Sequence, residues 1–101
     1  MIQRIFVISL NYSVDLKIID LHRDAHIAFL DEYYEKNIFI ASGPKVPRNG
    51  GVILAIGDDI KVIERIIEKD PFYIHKLATY EITEFLPKKS SEAFNQIIST
   101  S

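Results

Sequence analysis

The chain contains no cysteine and no tryptophan, and it has only four glycines and four prolines in 101 residues. The absence of cysteine excludes disulfide bonds, thiolate metal ligands and cysteine nucleophiles at once. It is also compatible with a protein of the reducing cytosol.

The chain also has no large excess of positive or negative charge and no long apolar run. Twelve Lys and Arg residues against fourteen Asp and Glu give a formal net charge of −2, so nucleic acid is a poor candidate partner. No apolar run approaches the roughly 18 residues of a membrane-spanning helix. Residues 1–4 lead directly into a predicted strand without a signal-peptide pattern. We therefore expect a cytoplasmic protein with neither a nucleic-acid nor a membrane partner.

What remains is a chain that is 48% hydrophobic, with enough apolar side chains for one small core. Its periodicities predict strand, helix, strand, strand, helix, strand. This order is the βαββαβ pattern of a ferredoxin-like α+β fold with a four-stranded antiparallel sheet. We expect the domain to span 1–87 and a short C-terminal helical or flexible tail to follow over 88–101. The predicted elements are strands over 5–12, 38–42, 51–56 and 77–86 and helices over 15–36 and 58–69.

Two of the predicted strands are apolar on both faces, at 5–8 and 52–56. A sheet with one face in water should alternate instead. The chain has no spare strands for a second layer, so we expect a second copy to cover this face in a sheet-to-sheet homodimer. A solvent-exposed face carrying some valines and isoleucines is the alternative.

The first predicted helix carries a histidine where an apolar residue is expected. At about 100° per residue, His26 shares a face with Ile19, Leu30 and Tyr33, so it should point towards the core. Arg23, three residues earlier, lies beside it. A buried neutral histidine bonded to one backbone carbonyl is the structural alternative.

A second polar residue, Asp70, interrupts the apolar stripe of the second predicted helix. It follows Ile66 by four residues and Ile67 by three, and Pro71 prevents the helix from continuing. The carboxylate is therefore expected at the helix C-terminus on the sheet-facing side. An Asp-Pro turn that merely ends the helix explains Asp70 alone equally well. Two polar residues on the core faces of two helices suggest instead that Asp70 and His26 meet.

Both residues belong to a series of short segments in a fixed order: RDAH at 23–26, FLD at 29–31, ASGP at 41–44, GGV at 50–52, DPF at 70–72 and YEITEF at 80–85. Together these segments resemble the YCII-related (YciI-like) family over nearly the whole chain. The resemblance implies a dimeric α/β barrel, in which the sheets of two ferredoxin-like protomers face each other. It also implies a site centred on a His–Asp pair, which falls on His26 and Asp70, with Ser42, Gly43 and Pro44 lining the same pocket.

A His–Asp pair suits general acid/base chemistry, because the carboxylate fixes the imidazole tautomer and raises the basicity of the free nitrogen. Arg23 could hold Asp70 in place or bind an anionic group of the substrate. Arg48 could gate the site or bind an acidic ligand. A surface charge is the alternative for each arginine. Ser42 could donate a hydrogen bond to a ligand or simply belong to a turn. We therefore expect a small cofactor-independent enzyme, lyase- or hydrolase-like, acting on a small organic substrate that is anionic or phenolic. A non-catalytic ligand-binding or assembly module using the same pocket is the alternative.

A metal site is a further alternative, since His22 and His26 are spaced i, i+4 as in H-E-x-x-H helices. Position 23 is Arg, however, where such sites carry the general-base Glu, and a cation disfavours a divalent metal nearby. Asp70 or His75 would have to supply a third ligand. We expect neither a metal nor a cofactor.

Overall fold

The computed structural model describes residues 3–99, so residues 1, 2, 100 and 101 of the predicted domain and tail lie outside the described residues. In chain order the elements are β1 (Arg4–Tyr12), α1 (Leu16–Leu21), α2 (Arg23–Glu35), β2 (Phe39–Pro44), β3 (Gly50–Gly57), α3 (Ile60–Ile67), α4 (Pro71–Ile74), β4 (Ala78–Phe85) and α5 (Glu92–Ile98).

The four strands form one antiparallel sheet in the order β2-β3-β1-β4, which confirms the predicted ferredoxin-like α+β fold. Phe6, Ile8 and Leu10 alternate along the central strand β1 and are at most 2% exposed. Side chains of α1 to α4 cover this face of the sheet and form the main core with it. Burying each such large apolar side chain stabilises the fold by about 1.5–3 kcal/mol.

The first predicted helix, 15–36, is interrupted at His22. His22 has φ −106° and ψ 5°, and its N–H bonds the carbonyl of Ile19 three residues back, so the α-helical ladder breaks there. Its own carbonyl accepts the first bond of α2, from His26 N–H. No glycine or proline at this point marks the break in the sequence. After α2, Asn37 adopts the left-handed backbone conformation that is common just beyond a helix C-terminus, with φ 58°.

The position of Asp70 differs from the prediction. The second long helix, α3, starts at Ile60 behind Asp59, whose Oδ1 accepts a hydrogen bond from Lys61 N–H. It ends at Ile67, and the unpredicted helix α4 begins after Asp70. Asp70 is therefore the N-cap of α4, with Pro71 at its first position. Its carboxylate lies at a helix N-terminus, which favours a negative charge, rather than at a C-terminus, which opposes one.

Among residues 3–99, only α5 packs on the opposite side of the sheet, and it covers one end of it. Ser91 Oγ caps α5 by accepting a hydrogen bond from Phe94 N–H. Ile98 of α5 is fully buried against Ile5 and Ile56. These three residues form a second, smaller core on the face of the sheet opposite the main core. The predicted tail thus contains a helix that packs on the sheet.

The rest of that side, which we call the open face, carries Val7, Ser9, Val52 and Leu54, all half-buried. Register pairs Val7 with Leu54 and Ser9 with Val52, so these side chains form one patch. A homodimer that covers the open face remains a prediction. Within residues 3–99, no helix has the length and apolarity needed to cross a membrane.

Candidate active site

Asp70 is the polar residue at the centre of the candidate site, and it is fully buried. Its Oδ1 accepts a hydrogen bond from the backbone N–H of Phe72 at 3.1 Å and lies 2.7 Å from Nδ1 of His26. Its Oδ2 accepts a hydrogen bond from the hydroxyl of Tyr80 at 2.5 Å. These three donors replace the water that a carboxylate loses on burial. Arg23, a predicted partner of Asp70, is not among the donors.

Tyr80 belongs to the site although the sequence did not identify it. Burial, followed by the charge of Asp70, raises the pKa of Tyr80 well above its ordinary value, so the phenol stays protonated and donates. The available signal was the alternation of β4, which places Tyr80 on the helix-covered face together with Ala78 and Ile82. A phenol among apolar neighbours requires a hydrogen-bond partner.

The imidazole of His26 is held on two sides. Its ring stacks on that of Phe72, with centroids 4.1 Å apart and planes 6° from parallel. Because the Asp70 carboxylate accepts at Nδ1, the neutral imidazole carries its proton on Nδ1 and leaves the lone pair on Nε2. Within residues 3–99 no protein group hydrogen bonds Nε2. The side chain is 14% exposed, and His26 lines a surface cavity.

That cavity has a volume of about 460 Å³, within the usual range for small-molecule sites. All predicted site residues but one lie at its wall. The exception is Asp70, which lies behind the His26 imidazole. The predicted residues at the wall are Arg23, Ser42, Gly43, Pro44 and Arg48; the apolar surface comes chiefly from Leu10, Ile19, Ile27, Leu30, Ile53 and Phe72.

A β-bulge brings Ser42 to the cavity. Phe39 pairs with Ala55, but Ala41 pairs with Leu54 and Ser42 with Ile53, so the register of β2 shifts by one residue. Since a one-residue shift exchanges the two faces of a strand, Ser42 takes the cavity side that Ala41 would otherwise occupy. There the Ser42 and Tyr34 hydroxyl oxygens are 2.6 Å apart.

Arg48 reaches the cavity from the loop between β2 and β3. Its Nη2 donates to Oδ1 of Asp20 on α1 at 2.5 Å, and both side chains are partly exposed. The hydrogen bond from Arg48 holds the pKa of Asp20 below its ordinary value, and the pKa of Arg48 is raised correspondingly.

The two histidines of the metal alternative separate in the structure. The His22 ring lies against that of His75, with centroids 4.4 Å apart, whereas His26 bonds Asp70. In the part of the chain from 3 to 99, no three His, Asp or Glu side chains converge as metal ligands would.

Replacing Tyr80 by Phe should lower the free energy of unfolding by about 1–3 kcal/mol, because one oxygen of the buried Asp70 carboxylate loses its donor. Urea unfolding at neutral pH measures this. Tyr73→Phe is the matched control, since the ring of Tyr73 contacts Tyr80 but is 45% exposed, and its hydroxyl should matter by less than about 0.5 kcal/mol. Equal losses in both variants would contradict this assignment of the Tyr80 hydroxyl.

The family model described as "YCII-related domain" matches residues 5–86. No curated protein and no solved structure matches the chain significantly.

Proposed function

The chain belongs to the YCII-related domain family, and we propose that it is a small cofactor-independent enzyme in which His26 and Asp70 perform general acid/base chemistry on a small organic substrate. The observation that carries this proposal is the oriented imidazole. Asp70 holds Nδ1 at 2.7 Å, and the same side chain lines a cavity of suitable size. Binding alone requires no such oriented base, whereas proton transfer does.

In the proposed step, Nε2 of His26 removes a proton from the substrate, and the electron pair of the broken bond stays on the substrate. The imidazolium that forms is stabilised by the negative charge of the Asp70 carboxylate. That carboxylate is stabilised in turn by the hydrogen bonds it accepts from the Tyr80 hydroxyl and the Phe72 N–H. The imidazolium then returns the proton to another substrate atom, or to a departing group in an elimination. A base positioned in this way typically contributes about 10²–10⁴-fold.

Substrate binding is assigned to Arg23, Ser42, Gly43, Pro44 and Arg48, all at the cavity wall. Ser42 faces the cavity because of the bulge, whereas Gly43 pairs with Val52 and contributes backbone to the wall. We further propose that the enzyme acts as a homodimer through the open face.

The test is a thermal-shift screen of small carboxylic acids and phenols, followed by NMR of each ligand in D₂O. The proposal predicts that wild-type protein accelerates exchange of a C–H proton for deuterium in at least one ligand. If ligands bind and none exchanges or turns over, the protein is the alternative, a non-catalytic binding or assembly module using the same cavity.

A further inference from the structure

We propose that the ligand of this cavity is an amphipathic carboxylate. Its anionic group binds Arg23 and displaces Asp20 from the ion pair with Arg48. The inference rests on the proposed function for the choice of cavity, and it names the class of substrate. It follows from the charges at the wall, from the ion pair of Arg48 and from the apolar remainder of the lining.

The charges at the cavity wall have one sign. Arg23 and Arg48 line it, and within residues 3–99 no Asp or Glu does. The carboxylate of Asp70 is separated from the cavity by the His26 ring, to which it is bonded. An anion entering the cavity therefore meets two guanidinium groups and no exposed carboxylate in the wall.

Arg48 already holds a carboxylate, but it is one that a ligand can replace. Asp20 contributes Oδ1 from α1, outside the cavity wall, and the two side chains are 51% and 38% exposed. Ion pairs this exposed are weak, since solvent and salt screen them. The hydrogen bond and charge of Arg48, and then the charge of Arg23, lower the pKa of Asp20. Asp20 thus binds the same guanidinium group that a ligand carboxylate would bind, and competes with the ligand for Arg48.

The rest of the ligand should be apolar. Ile19, Ile27, Leu30 and Ile53 line the same cavity as the two arginines and the Phe72 ring on which His26 stacks. A carboxylate held at the arginines would extend its apolar body along these side chains towards the imidazole.

Isothermal titration calorimetry with three carboxylates and their primary amides tests the charge requirement: phenylacetate, cyclohexanecarboxylate and hexanoate. We expect at least one carboxylate to bind about tenfold or more tightly than its amide, as a charge-assisted contact requires. Arg23→Gln and Arg48→Gln should each remove most of that preference, whereas Arg65→Gln on α3, away from the cavity wall, should not. If every amide binds as well as its carboxylate, or none of the six ligands binds, the proposal is wrong.

Asp20→Asn tests the competition directly. Freed from Asp20, Arg48 should bind the carboxylate about two- to fivefold more tightly, the range expected for removing a weak surface competitor, with the amide unaffected. Asp31→Asn on α2 removes the same charge away from Arg48 and should have no such effect. Weaker carboxylate binding in Asp20→Asn would overturn the proposal, because the ion pair would then support the site rather than compete for it. These titrations require no turnover, so they test the ligand class independently of catalysis. The deuterium-exchange assay tests catalysis, and either experiment can fail while the other succeeds.

Discussion

Replacing His26 with glutamine should lower any proton-transfer activity by about 10²–10⁴-fold while the protein remains folded. Glutamine can donate a hydrogen bond to the buried Asp70 carboxylate, so that carboxylate is not left without its partner, but an amide cannot accept the substrate proton as a base. Deuterium exchange into a bound ligand measures the loss, and circular dichroism checks the fold. Ligand binding should largely persist, because the arginines remain.

His75→Gln is the control, since His75 is exposed at the end of α4 and does not line the cavity. Asp70→Asn should give an intermediate loss of about 10–100-fold, the difference between a charged and a neutral acceptor for the imidazolium. In this variant the backbone N–H of Phe72 favours the orientation in which the side-chain oxygen of the new asparagine takes the place of Oδ1. That oxygen can still accept a hydrogen bond from Nδ1–H of His26, so the His26 tautomer should be retained. Full activity in His26→Gln would show that another group is the base.

Most of the fold followed from apolar periodicity, and the departures have identifiable causes. Short apolar runs bounded by turn residues predicted the strands, and the apolar stripes of the two predicted helices indicated which side of each helix packs on the sheet. The break at His22 was not predictable, because the residue carries no backbone signal and its conformation is set by packing. Helix α4 is not predicted, because a proline after an apolar stripe indicates the end of a helix, although proline is equally suited to the first position of one.

The candidate site divides in the same way. His26 and Asp70 were recognisable because each puts a polar group on an apolar face, and the structure brings them together at 2.7 Å. Tyr80 was not, because a phenol on a strand is ordinary until its buried partner is known. Ser42 was named by resemblance, but its face depends on a bulge whose register only the neighbouring strand β3 reveals.

The two faces of β3 should respond oppositely to a new charge. Ala55 is fully buried under the helices and pairs with Phe6 and Phe39. Ala55→Asp puts an unpaired carboxylate in this core, at a cost of several kcal/mol. Because a domain of this size is stable by only about 5–15 kcal/mol, we expect the variant to be largely unfolded by circular dichroism.

Leu54, the next residue along β3, lies on the half-buried open face and pairs with Val7. Leu54→Asp should leave the protomer folded, because water reaches the new carboxylate. If the open face is the dimer interface, light scattering at micromolar concentration should give twice the 11.6 kDa chain mass for wild type and one chain mass for this variant. If wild-type protein is a monodisperse monomer, the predicted dimer is wrong. The open face is then an ordinary solvated surface carrying a few apolar side chains.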